Sequence, residues 1–382
     1  MQPIGSCCGP AGAAAASVRE GRRTLKIAIV VGTRPEIIKM APVVRACIAR
    51  GVPYVLLHTG QHYTFELDGV FFRELELPEP HHNLEVGSGS QAYQIGSIVS
   101  GMEPLLREQR PDVLLVEGDT NSVLAGALCA QKSGIAVGHV EAGLRSYDRT
   151  MPEEINRILT DHLSEHLFAP TETAREILRR EGVGDSRIHV TGNTVVDELE
   201  RQRARAERSE IFQRFAVEPG RYAIATVHRA ENTDDPARLR GIFDGLAGSA
   251  DALGIPVLAA LHPRTTARLE ALGMRVDGRV RALPPLGYLD FLGLHARAAL
   301  TLTDSGGLQE EACCLRVPCV TLRDNTERPE SVEVGANRLA GAEAGRIVDC
   351  ARAMAAKSRD WRNPFGDGKS GLRIVDLLTG GS

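Results

Sequence analysis

From Leu25 onward, short runs of consecutive apolar residues alternate with longer stretches in which apolar positions recur every three or four residues. The short runs are LKIAIVV, PYVLLHT, DVLLVEG and IAVGHVE in the first half, and YAIATVH, IPVLAAL, AALTLTD and VPCVTL in the second. Uninterrupted β-branched runs suit strands covered on both faces, and their alternation with amphipathic helical stretches predicts parallel sheets built from βαβ units. The rhythm breaks once, between Gly192 and about Pro219, where the charged helical stretch ELERQRARAERSEIFQRF takes the place of a strand. This segment reads as an interdomain connector whose Arg/Glu pattern forms a solvated face. No internal repeat is visible, yet each half carries its own strands. The expected fold is therefore α/β, with two doubly wound, Rossmann-like domains facing a central cleft. Ligands of such sheets sit beyond the carboxyl ends of the strands, which directs attention to the residues after each run.

The 382 residues are 43% apolar, enough for two cores of ordinary size. The net charge is −4 and no block of Lys/Arg stands out, so nucleic acid is not an expected partner. No apolar run approaches the ~20 residues that span a bilayer, and no membrane insertion is expected. In the Ala/Gly-rich residues 1–23 the charges follow the apolar stretch, the wrong polarity for a secretory signal, and the segment reads as a disordered leader. Eight cysteines include the adjacent pairs Cys7/Cys8 and Cys313/Cys314 but no C-x-x-C spacing. Reduced thiols in a cytoplasmic protein, with no metal site, are the expectation.

Gly32-Thr33-Arg34-Pro35-Glu36 follows the first strand and opens a helix containing Lys39. Proline suits a first helical position, and Arg34 adds its charge to backbone N–H groups that attract anions, a diphosphate contact. Taken alone, the same residues are also an ordinary βα turn. No G-x-G-x-x-G follows any strand, so no nicotinamide or flavin cofactor is expected. Thr303-Asp304-Ser305-Gly306-Gly307 opens a second helix, where the glycines let backbone approach a phosphate and Glu310 or Glu311 can accept ribose hydroxyls. Its bland reading is a capped connection. Three acidic segments, Glu117 to Thr120, His139 to Arg145 and Pro152 to Arg157, bring carboxylates toward one cleft, where general acids and bases are needed. Asp119 as a helix cap and Glu153 as a dipole partner are the alternatives. His228 and Arg229 end the first strand of the second half, placed to neutralise a departing phosphate, and His262 ends the next.

In order, GTRPEIIKMAPV, TGQH, EGDT, HVEAGLRS, PEEINR, GNTVVD, HRAEN, TDSGGLQEEA and TERPE resemble the non-hydrolysing UDP-N-acetylglucosamine 2-epimerases over roughly residues 25–375. The resemblance implies a GT-B-like pair of domains, 24–191 with 366–382 carrying the catalytic carboxylates and 192–365 binding UDP, the last helix crossing back to the first domain. It implies that Arg34, Ser305, Gly306 and Gly307 hold the diphosphate, Glu311 the ribose and Phe291 the uracil, with Lys39 and Arg157 also binding substrate. Asp119, Glu141, Glu153 and His228 match catalytic positions. The reaction implied is reversible 2-epimerisation of UDP-N-acetylglucosamine to UDP-N-acetylmannosamine, by elimination of UDP to a glycal and its re-addition. No cofactor is needed and a homodimer is the expected assembly.

Two departures matter. Only SYDRTM separates Arg145 from the Pro152 segment, a short connector that leaves open a modified UDP-hexosamine such as a 2,3-diacetamido uronic acid. Some bacterial members of the family this chain resembles bind a second UDP-sugar as an activator near the TGQH segment through an Arg-Gln pair, and here the matching place reads Ser90-Gln91. Gln61, Gln91 and His262 are the regulatory candidates, with weak activation expected. A GT-B glycosyltransferase and a catalytically silent nucleotide-sugar sensor are the competing functions.

Overall fold

The computed structural model describes residues 24–61, 65–274, 276 and 278–380; the expected leader over 1–23 lies outside the described residues. In the first half the strands are β1 (Ile27–Val31), β2 (Tyr54–His58), β3 (His82–Asn83), β4 (Val113–Glu117), β5 (Ala136–Val140), β6 (His166–Ala169) and β7 (Ile188–Val190). In the second half they are β8 (Ala223–Val227), β9 (Val257–Leu261), β10 (Val280–Leu283), β11 (Leu300–Thr303), β12 (Cys319–Thr321) and β13 (Asn337–Leu339). Two parallel sheets result, in the orders β3-β2-β1-β4-β5-β6-β7 and β10-β9-β8-β11-β12-β13. In each sheet the chain starts at the centre, winds outward, and returns to wind the other way. The reversals fall between β1 and β4 and between β8 and β11, and open a crevice beyond those strands.

Alternation along β1 supplies both faces of the first sheet. Ile27, Ile29 and Val31 pack with Ile37, Val44 and Cys47 of helix Arg34–Arg50, whereas Ala28 and Val30 pack with Ile98, Met102 and Val123 on the opposite side. Each fully buried branched side chain contributes about 1.5–3 kcal/mol. Strands β3, β6, β7, β10 and β13 were not anticipated from the apolar pattern. Four of them are sheet edges, and β10 and β13 each bury only part of their short length.

The connector departs from expectation. Its helices are Thr194–Ala206 and Ile211–Phe215, and the first buries Val195, Val196 and Leu199 in the cluster that holds Ile37 and Val44. Glu198 is wholly buried, paired with Arg45 and accepting from Gln202 Nε2 at 2.7 Å. A charged residue with a partner counts as interior, while Glu200, Arg201, Arg203, Glu207, Arg208, Glu210 and Arg214 keep the expected solvated face.

The last helix, Ser370–Thr379, lies against helix Arg34–Arg50. Asp197 accepts from the backbone N–H of Ser370 and Gly371 at 3.0 and 2.9 Å, and Arg50 pairs with Asp376 at 2.8 Å. A Cβ on Gly371 would strike the backbone of Pro42, so the close approach requires glycine. Where the chain leaves the first sheet it meets its own return, Asn193 N–H donating to Phe365 O at 2.7 Å. Among the described residues, Cys47, Cys129, Cys313, Cys319 and Cys350 are buried free thiols and Cys314 is half-buried. No described helix is long and apolar enough to cross a membrane.

Candidate active site

The loop after β1 is held from below. Glu36 is buried and accepts from Gly32 N–H at 2.6 Å, Thr33 Oγ1 at 3.0 Å and Thr120 Oγ1 at 2.7 Å, tying this loop to the one that carries Asp119. Gly32 packs so tightly on Ser122 and Thr59 that a Cβ has no room. Arg34, the first residue of the helix, is half-buried with its guanidinium 5.1 Å from the Phe71 ring centre. Burial pushes the Glu36 carboxyl up to about 7, against the pull of its three donors. Its folded value lies above its unfolded one, so its stabilising effect is full below about pH 4.5 and is lost as pH rises through about 7. Glu36→Gln is therefore expected to gain in melting temperature relative to the parent between pH 5 and pH 8. A difference that does not change with pH overturns this assignment.

After β11, Ser305 caps helix Gly306–Cys314, its hydroxyl accepting from Leu308 N–H at 3.4 Å. A side chain at Gly306 would strike the Glu327 carboxylate, whereas Gly307 faces open space. Glu311 lies 3.5 Å from His295 Nδ1, and Phe291 stacks obliquely on the same histidine at 5.9 Å.

The three predicted carboxylates prove unequal. Asp119 and Glu153 are partly open, their side chains 26% and 35% exposed, while that of Glu141 is 5% exposed. Thr120, not Asp119, caps the helix Asn121–Lys132. Asp119 instead pairs with Arg157, which also binds Glu154 at 2.8 Å, and Asn156 Nδ2 donates to Asp119 O at 2.9 Å. Glu154 in turn accepts from the backbone N–H groups of Ser146 and Tyr147 at 3.0 and 2.8 Å, fixing the short connector. Arg157, expected to bind substrate, is buried between Glu154 and Asp119.

Glu141 sits at a strand end with φ 69°, in the left-handed region that non-glycine residues rarely adopt and that clusters at functional sites. Its carboxylate receives Lys39, Asn193 Nδ2 at 2.9 Å and Arg328 Nη2 at 2.7 Å. Lys39, also expected to bind substrate, lies 3.2 Å from Glu117 and 3.6 Å from Glu310, and Arg328 reaches Glu310 at 3.1 Å. Burial alone would raise Glu141, but Lys39 and Arg328 hold it down to about 2. Burial pushes Glu310 up to about 7 despite Arg328, and drives Glu117 well above the carboxylate range despite Lys39.

His228 and Arg229 come from the other sheet. Buried Asp304 accepts from both backbone N–H groups at about 3.0 Å and from Asn232 Nδ2 at 3.1 Å, and lies 3.1 Å from His228 Nδ1. The His228 side chain is 41% exposed. Arg229 bridges to Glu153 Oε1 at 2.9 Å and approaches Glu327 at 3.7 Å, and Glu327 also binds Arg323 at 2.8 Å and Arg328 at 2.9 Å. Asp119, Glu153, His228 and the Ser305 loop thus lie around Arg157, Arg229, Arg323 and Arg328, each paired with a carboxylate, groups of the kind that can bind an anion and exchange protons. Glu117, Asn193, Glu327 and Arg328 had no assigned role from sequence, although the Glu-Arg pair of the TERPE segment and the carboxylate ending β4 were visible signals.

Of the regulatory candidates, Gln61 adjoins the loop after β1 through Ser122, whereas Gln91 and His262 are at the surface. Gln61 is buried and accepts from Ser122 Oγ at 2.7 Å; Gln91 is exposed at the start of helix Gln91–Gln109; His262 is exposed and caps helix Pro263–Ala271. Among the described residues no group of three His, Cys, Asp or Glu is placed to hold a metal ion.

The profile of the family described as UDP-N-acetylglucosamine 2-epimerase matches residues 45–379. The UDP-N-acetylglucosamine 2-epimerase of Methanocaldococcus jannaschii is 48% identical over 364 residues, covering 94% of this chain and 100% of the relative. The crystal structure of that enzyme in complex with UDP-GlcNAc and UDP has a TM-score of 0.89 to this chain, with the same coverage. A UDP-2,3-diacetamido-2,3-dideoxy-D-glucuronate 2-epimerase of Pseudomonas aeruginosa is 40% identical over 358 residues, covering 93% of this chain and 99% of the relative.

Proposed function

The chain belongs to the UDP-N-acetylglucosamine 2-epimerase family, and from that premise we propose how its residues carry out reversible conversion of UDP-N-acetylglucosamine to UDP-N-acetylmannosamine. The observation that carries the reading is the pair of partly open carboxylates, Asp119 and Glu153, each held by an arginine and facing the His228 edge of the other sheet. C2 of the sugar has no adjacent carbonyl, so simple deprotonation there is not available. A base removes the C2 proton, the C2–H electron pair becomes the C1=C2 bond, and the C1–O pair leaves with UDP. Protonation of C2 from the other face and return of UDP to C1 complete the inversion.

In this reading Ser305, Gly306, Gly307 and Arg34 hold the diphosphate, Glu311 the ribose and Phe291 the uracil. His228 meets the charge developing on UDP, while Asp119 and Glu153 exchange the protons. Lys39 and Arg157 position carboxylates, and Glu141 aligns Lys39 with Arg328. Residues 24–191 with 366–382 form the carboxylate-bearing domain and 192–365 the UDP-binding one, supported by the return of helix Ser370–Thr379 to helix Arg34–Arg50. The higher identity to the M. jannaschii enzyme favours the N-acetyl sugar over the diacetamido uronate. A cytoplasmic homodimer completes the proposal, the buried free thiols suiting a reducing compartment.

The test is a proton NMR time course with UDP-N-acetylglucosamine in heavy water, without acceptor or cofactor. Product carrying deuterium at C2, at an equilibrium mixture of epimers, is expected. Epimer that keeps its C2 hydrogen overturns the elimination route, and stoichiometric UDP with free sugar reassigns the enzyme as hydrolytic.

A further inference from the structure

Arg229 has more donors than it spends. A guanidinium offers five N–H groups, yet Nη1 donates to Glu153, Nη2 stands 3.7 Å from Glu327 Oε1, and the buried Nε has no hydrogen-bond partner. Glu327 Oε1 is ion-paired with Arg328 Nη1 at 2.9 Å but accepts no well-aligned hydrogen bond, and this oxygen is the one that a side chain at Gly306 would strike. Arg229 is therefore one carboxylate removed from the Ser305-Gly306-Gly307 loop. Its backbone is pinned by Asp304, and its guanidinium is held by the bond to Glu153. At its far end it holds Glu153, which comes from the other half of the chain.

We propose that Arg229 is shared between Glu153 and the diphosphate: it holds the Glu153 carboxylate when the cleft is empty and turns to the phosphate oxygens when UDP-sugar enters, releasing Glu153 to the sugar. This rests on the reading that the diphosphate lies at Ser305 to Gly307. Guanidinium binds phosphate through two parallel charge-assisted bonds, stronger than its single bond to Glu153. The same movement thus stabilises departing UDP and frees Glu153 to approach the sugar. The carboxylates facing Arg229 are Glu327, Glu153, Asp119 and Asp304, and the cations facing Glu327 are Arg328, Arg323 and Arg157.

The test is calorimetric titration with UDP of the parent, Glu153→Gln, Arg229→Met and the double variant. If UDP competes with Glu153 for Arg229, Glu153→Gln tightens UDP binding by roughly two- to fivefold, the strength of a half-exposed ion pair. Arg229→Met weakens it by about tenfold or more, as expected for loss of charged hydrogen bonds. In the Arg229→Met background, Glu153→Gln then changes nothing. Should Arg229→Met fail to fold, Arg229→Lys replaces it, since a single ammonium cannot present the same fork to phosphate. Unchanged or weaker UDP binding by Glu153→Gln, or equal effects in both backgrounds, overturns the sharing while leaving the UDP site intact. A parent that binds no UDP overturns both.

Discussion

Glu153→Gln and Asp119→Asn are each expected to lower turnover by about 10²–10⁴-fold, the usual contribution of a positioned proton-transfer group. Both substitutions keep shape and one hydrogen-bond acceptor but remove the charge and the exchangeable proton. Both sites are also partly open, so the folded state loses little. Glu141→Gln differs in kind. Its carboxylate is enclosed by Lys39, Arg328 and Asn193, so neutralising it leaves two buried cations short of a partner and lowers activity together with thermal stability. Steady-state rates paired with melting curves separate the two behaviours. Near-parental activity in all three variants would return these carboxylates to structural roles.

Lys39→Met is expected to cost about 3–5 kcal/mol of stability, the penalty for removing one partner from a buried ion network. At roughly 2–4 °C per kcal/mol for units of this size, the melting temperature drops by about 10 °C. Methionine fills the same volume, so the loss reports charge and not a cavity. Glu141 and Glu310 would be left to Arg328 and Asn193, and Glu117 would lose its Lys39 partner; the three carboxylates recover part of the loss by protonation as the pH falls. The gap between parent and variant should accordingly widen from pH 5.5 to pH 8. A variant within about 1 °C of the parent at pH 8 would show that the network is hydrated.

The inner strands were legible because each is buried on both faces and must be apolar at consecutive positions. The edge strands were not, because pairing on one side only lets β7 and β13 carry exposed residues. The position of β6 beside an edge, with His166 opening it, hid it in the same way. The connector misled for a different reason: Glu198 and Gln202 look like surface residues until Arg45, far away in sequence, neutralises one of them. The candidate site followed the same division. Local motifs pointed to Asp119, His228 and the Ser305 loop, since each follows a strand, and to Glu153 in the first turn of a helix. That Arg157 faces Asp119, or that Arg328 closes on Glu141, depends on contacts between distant segments that no local pattern encodes.

Charge sits at the joint where Lys39 and Glu141 from one half of the chain meet Glu310 and Arg328 from the other, beside the apolar contact of Ile37 and Val44 with Val195, Val196 and Leu199. Ionic groups lose nearly as much in leaving water as they gain in pairing, so parting the two faces would return most of the energy that bringing them together released. An apolar seam of the same area would clamp shut. The charges thus dictate where the halves sit against each other, while the apolar contact beside them resists their parting.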